Sequence, residues 1–258
     1  MTGEFRRVFG LLHRLIIPET LDRLGLAVSN STVDDISQTL APYMRDHFRR
    51  DPRFQGRLGV FSSSYYDSIS IVVGAVDTQT TTPDLKPPRV SLTVLTDQPP
   101  DVPEQSLTNL TALIPQGRVV FLNADTDDVG VPDEVFFAMP NIETLHLSNP
   151  LLSEGFLQPD PAGPHANTKL LPSLCSLRLE DVDCLDNDNW SLLTTYLVHQ
   201  TSDGQTVSLE VIGDLPSGPP EMVNKIRGLV EEFTHHRDAV VVAEDDSNML
   251  VTHPFCSG

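Results

Sequence analysis

Acidic clusters are the first residues in this chain with the chemistry to act. Asp125-Thr126-Asp127-Asp128-Val129-Gly130 opens like a calcium loop, with carboxylates at the first and third places and glycine at the sixth. The twelfth place, which must supply a bidentate glutamate, is Phe136, so the pattern fails where affinity is made. Asp181, Asp183, Asp186 and Asp188 form a second cluster, whose position just before Trp190 fits turn and N-cap residues better than a metal cage. Together the two clusters define the catalytic alternative, a metal-dependent hydrolase. Cys175 and Cys184 are separated by eight residues with no second close pair, so Cys175, inside an apolar run, reads as a small buried thiol rather than a zinc ligand. His235-His236 is expected at the end of the last helix, facing the negative end of its dipole. No phosphate-cradling GxxxxGKS/T, no GxGxxG, no GxSxG and no HExxH occurs. The expectation is a chain that is not an enzyme and carries no cofactor and no metal.

The dominant signal in the sequence is a repeat. Ile142-Glu143-Thr144-Leu145-His146-Leu147 and Leu174-Cys175-Ser176-Leu177-Arg178-Leu179 share the spacing LxxLxL, each with a proline two places ahead of its first apolar residue. The central apolar position recurs at Leu145, Leu177, Leu209 and Val241, 32 residues apart each time. A fixed period of this size marks stacked supersecondary units, each unable to bury its apolar face alone. The fold expected is α/β, a leucine-rich-repeat-like solenoid with a parallel sheet on its concave face and helices on its convex face. A strand, a crossing helix and a parallel strand wind right-handed, so successive units should stack in order. Alternation along each strand then turns the leucines toward the helices and leaves Thr144, His146, Ser148, Ser176, Arg178, Glu180, Ser208 and Glu210 on the concave surface. These eight are the candidate partner-binding residues.

The pattern divides residues 1–258 into one irregular repeat domain: 1–30 as N-terminal helix and first strand, 31–125 as irregular repeats, 126–244 as regular repeats of about 32 residues, and 245–258 as a tail. Apolar spacing predicts helices over 5–16, from Val33 to Phe48 with a kink at Pro42, and from Asp133 to Met139. Two more are predicted from Asp188 onward with Trp190, Leu193 and Leu197 on one face, and from Pro220 with a stripe of Met222, Ile226, Leu229, Val230 and Phe233. Strands are expected at Phe54 to Phe61, Ser68 to Val73, Arg89 to Leu95 and Arg118 to Leu122. The proline-bearing stretch Gly155 to Lys169 reads as an inserted loop.

Composition narrows the partner. The chain has 258 residues and a formal charge of −19, which repels nucleic acid and anionic membrane surfaces and favours a basic or neutral protein partner. The charge is uneven: residues 1–60 hold nine arginines against seven acids, a net of +2 that leaves −21 for the rest. Only this first part offers a basic patch, and it reads as a solvated helix face because no stacking aromatics alternate with the arginines. Three cysteines, odd and sparse, fit free thiols in a reducing compartment. Residues 1–12 hint at a signal peptide, but His13 and Arg14 interrupt the apolar stretch and no small-residue cleavage site follows; nothing approaches the ~20 apolar residues of a membrane span, so cytoplasm or nucleus is expected.

The wording of several runs is also familiar. Val33 to Leu40, Tyr43 to Phe54, Asp67 to Ile71, Leu171 to Val182 and Trp190 to Val211 resemble the C-terminal leucine-rich-repeat part of mushroom-type fungal F-box proteins, over most of residues 20–236. In that family an N-terminal F-box docks to the Skp1 subunit of an SCF ubiquitin ligase while the repeats hold the substrate. The resemblance therefore implies a non-catalytic protein-protein interaction scaffold. Ile17-Pro18-Glu19-Thr20-Leu21 echoes the opening of an F-box but runs directly into repeat text. The expectation is the repeat half alone, with Skp1 a partner only if an F-box lies upstream. A degenerate repeat remnant without a specific partner is the remaining alternative.

Overall fold

Residue alternation along a strand decides which side chains meet the helices and which meet the outside, so the sheet is best followed row by row. The computed structural model describes residues 23–29, 33–65, 68–76, 85–95, 108–109, 111–126, 131, 133–148, 169–182, 187–213, 215 and 220–236. Its strands are β1 (Arg23–Ser29), β2 (Leu58–Tyr65), β3 (Ser68–Val76), β4 (Leu85–Leu95), β5 (Val119–Thr126), β6 (Thr144–Ser148), β7 (Ser176–Glu180), β8 (Ser208–Ile212) and β9 (Glu232–His236). They form one open sheet in the order β1-β4-β3-β2-β5-β6-β7-β8-β9. Every pairing from β2–β5 through β8–β9 is parallel, as is β1–β4. The protein is α/β with a mostly parallel sheet.

One row shows why the strands stack. Val90, Val73, Val60, Leu122, Leu145, Leu177, Leu209 and Phe233 are register partners on eight successive strands, and all but the last are fully buried. The helices close over this side. They are α1 (Val33–Arg50), α2 (Asp133–Ala138), α3 (Asn187–Thr201) and α4 (Pro220–Leu229). Met44 and Phe48 of α1, Val135 and Phe136 of α2, Trp190, Leu193 and Leu197 of α3 and Ile226 of α4 join the strand leucines in one core cluster. Removing a side chain such as Leu177 from that core costs about 2–5 kcal/mol, because the close-packed surroundings collapse only partly into the void.

The structure corrects the expected repeat in its first half. Strands do not follow chain order there, and β3 runs antiparallel to both β2 and β4. Two residues join β2 to β3 and eight join β3 to β4, too few for the crossover of a dozen or more that a parallel return requires. The chain therefore goes out through α1 to β2 and returns by two hairpins toward β1.

It also corrects the end. Val241 lies outside the described residues, and the place beside Leu209 is taken by Phe233, 24 residues on. Phe233 belongs to β9 rather than to the last helix, which ends at Leu229, and His235-His236 are strand residues too. Cys175 is exposed, not buried, and burial of part of its surface together with Glu143 and Glu231 raises its pKa. The α1 helix continues through Pro42 as one element. The expected helix at 5–16 and the loop up to residue 168 fall outside the described residues.

Candidate functional site

The sheet face away from the core cluster has two different surfaces. Over β2 to β4 it is mixed: Gly59, Phe61, Val72 and Gly74 give way further along to Ser63, Ser70 and Thr93, with Ser63 Oγ and Ser70 Oγ 2.7 Å apart. Leu85 lies against the backbone of Gly59 and Gly74, neighbours on β2 and β3, and Phe61 meets Phe121 edge-on with ring centroids 5.4 Å apart. A Cβ on Gly59 would come within 2.4 Å of Val76 Cγ2 and 2.6 Å of Leu85 Cδ2, so only glycine admits this close approach. The approach is made possible by a register shift where Gly74 and Ala75 face Arg89 and Lys86 across Pro87 and Pro88.

Over β5 to β9 the same face is polar. The short LxL strands place Asn123, His146, Arg178, Glu210 and Thr234 in one register row, and Asp125, Ser148 and Glu180 in the next. Side chains connect along and between these rows. Asn123 Nδ2 donates to His146 Nδ1 at 3.0 Å, which leaves the His146 proton on Nε2. That nitrogen sits 3.1 Å from Glu180 Oε2, close enough for attraction but off the line of a good hydrogen bond, so it has no aligned acceptor. Arg178 Nε donates to Glu180 Oε1 at 2.9 Å, its Nη2 donates to the same oxygen, and its Nη1 reaches Glu210 Oε2 at 3.4 Å. Ser148 Oγ lies 3.5 Å from Glu180 Oε2, and His236 Nε2 lies 3.4 Å from Glu210 Oε1. One network thus spans five parallel strands.

Electrostatics follow from this arrangement. Burial pushes the His146 pKa below its ordinary 6.5, with Arg178 acting in the same direction and Glu180 only partly opposing. Burial alone would raise Glu180, but the Arg178 hydrogen bond, the Arg178 charge and His146 outweigh it and hold the carboxyl below its ordinary range. At neutral pH the face therefore carries a neutral imidazole and an Arg178 cation held between two carboxylates, Glu180 and Glu210. Asp125 and Glu232 add negative charge on either side, so the surface is acidic with one fixed cation.

Of the eight predicted residues, His146, Ser148, Arg178, Glu180 and Glu210 meet in the network. Thr144, Ser176 and Ser208 form their own register row one step nearer the strand starts, half-buried and outside the network. Asn123 and His236 are members the sequence reading missed. Asn123 was visible in principle, since the alternation of β5 continues beyond Leu122 through Asn123, Ala124 and Asp125. His236 was hidden because its segment was assigned to a helix.

The carboxylates proposed for a metal do not converge among the described residues: Asp125 is on β5, Asp181 is exposed with a positive φ of 55°, and Asp188 is exposed in the first turn of α3. Asp127, Asp128, Asp183 and Asp186 lie outside the described residues. No helix among the described residues is long and apolar enough to cross a membrane. Compared with models of protein families, with curated proteins and with solved structures, the chain matches none of them.

Proposed function

We propose that this protein is a non-catalytic interaction scaffold of the leucine-rich-repeat kind, which holds a basic segment of a protein partner on the polar face of β5 to β9. The observation that carries this reading is the network itself. Five adjacent strands, equally directed and in register, offer an ordered row of donors and carboxylates, and repeat arrays use such sheets for binding. The geometry is prepaid: Arg178 fixes Glu180 and Glu210 before a partner arrives, which lowers the ordering cost of association. Acidic character selects a cationic partner and speeds encounter at low salt. The resemblance to mushroom-type F-box proteins points the same way, toward the substrate-holding region of an SCF ligase receptor.

A library of peptides graded in net charge, screened against the purified chain, tests this. Retention should rise with positive charge and fall about tenfold in the double variant Glu180→Gln, Glu210→Gln, as expected when two fixed carboxylates are neutralised. Equal retention at all charges, or a double variant that binds like the wild type, would sink the proposal.

A further inference from the structure

A second site involves none of the residues of the polar network. Arg45 and Arg49 stand one helical turn apart on α1, and Arg118 ends the short 3-10 turn Gln116–Arg118 before β5. All three line one half-open cleft of about 210 Å³, whose wall includes Phe48, Ile114 and Pro115 and, among the described residues, no carboxylate. In a chain of charge −19 this is unexpected. The nearby acids are already engaged: Asp46 pairs with Arg50 at 2.9 Å and Asp51 with Arg53 at 2.7 Å. Among the described residues, Arg45 Nε donates to Ala41 O at 3.2 Å and Arg118 Nη1 to Phe54 O at 3.1 Å, bonds that use one donor of each guanidinium and leave the others to face the cleft's ligand. Proximity to the α1 C-terminus accounts for Arg45 and Arg49 in part, but not for Arg118, which comes from a different element.

We infer that this cleft binds a phosphate monoester carried on a small apolar body, such as an aryl phosphate. Three guanidinium forks match a dianion with three acceptor oxygens better than they match a single carboxylate. The apolar wall needs a ligand with carbon next to the phosphate. The cleft also exceeds the about 150 Å³ that accommodates a benzene ring, leaving room for the ring and part of the phosphate. The same chemistry is presented by a free aryl phosphate and by a phosphotyrosine side chain.

The test is calorimetric titration of the full chain at low salt with phenyl phosphate, inorganic phosphate and a neutral phosphotyrosine peptide. Phenyl phosphate should bind once per chain and more tightly than inorganic phosphate. Arg45→Gln and Arg49→Gln, both exposed, should each weaken it by about tenfold through loss of a charge-assisted pair, without shifting the melting temperature. Arg50→Gln, which removes an ion-paired arginine outside the cleft, should leave affinity unchanged. Tighter binding of the phosphotyrosine peptide than of phenyl phosphate assigns the ligand to a protein, and equal binding assigns it to a small molecule; both support the site. Absence of saturable phenyl phosphate binding overturns it. So does equal affinity for inorganic phosphate, or a loss in Arg50→Gln as large as in Arg49→Gln.

Discussion

The two halves of the sheet solve the same packing problem differently. From β5 to β9 each strand keeps one direction and presents a polar row outward. From β2 to β4 the links are short, β3 reverses, and part of the outward face is closed by Leu85 and Phe121 over two glycines. Core burial is common to both halves, so it does not distinguish them. Link length does: the short links reverse β3, whereas the longer ones keep β5 to β9 parallel, so that their outward polar side chains fall in unbroken register rows. The proposed partner site lies on the parallel face.

The largest effect should come from the shared core. Leu177→Ala is expected to cost about 2–5 kcal/mol by urea unfolding, since a fully buried side chain leaves a cavity. Gly59→Ala should follow at about 1–3 kcal/mol, because the new methyl overpacks stiff Val76 as well as Leu85. Gly117→Ala, with nothing near its Cβ, should cost far less. If Gly59→Ala were as harmless as Gly117→Ala, the close packing of Val76 and Leu85 on Gly59 would be wrongly described.

Arg178→Gln should destabilise by roughly 1 kcal/mol in the same measurement, as it leaves Glu180 and Glu210 facing each other without their cation. Acid titration sharpens the contrast further. His146 and Glu180 both hold fewer protons when folded than when unfolded, because their folded pKa values are lowered. Their contribution to stability is complete above the ordinary histidine value of 6.5, falls as pH drops through the lowered His146 value, and falls again below 4.5. His47 on α1, lowered first by burial, acts with the same sign. His146→Gln should therefore reduce, without abolishing, the first stage of acid loss. An unfolding midpoint that did not fall with acid, or a His146→Gln variant with an unchanged slope, would contradict the buried neutral imidazole.

How much was legible in the sequence follows the same division. Leu145, Leu177 and Leu209 predicted their own neighbours because LxL strands with equal spacing leave little freedom in register. The five networked residues came with them, since alternation fixes the outward side. Phe233 was misread because apolar residues at helical spacing continue from Ile226 into a strand, and a window that spans both elements averages over the break at Leu229. The reversal of β3 was not legible from repeat text, which describes strands and says nothing about the links between them. Nothing in the sequence marks Gly59 and Gly74 as the places where Leu85 lies against the sheet, since the segment that carries Leu85 is distant from Gly59 along the chain. The arginine cleft was half visible: the sequence showed the local positive balance, but Arg118 lies far along the chain and only folding brings it to Arg45 and Arg49.

The central proposal is that a basic partner lies on the sheet face of β5 to β9 and not on that of β2 to β4. Amide chemical shifts recorded while the best-retained basic peptide is added test it most directly. The account predicts changes concentrated at Thr144–Ser148, Ser176–Glu180 and Ser208–Ile212, with β2 to β4 unmoved. Changes centred on Leu58–Tyr65 and Ser68–Val76, or spread evenly over the helices, would contradict it.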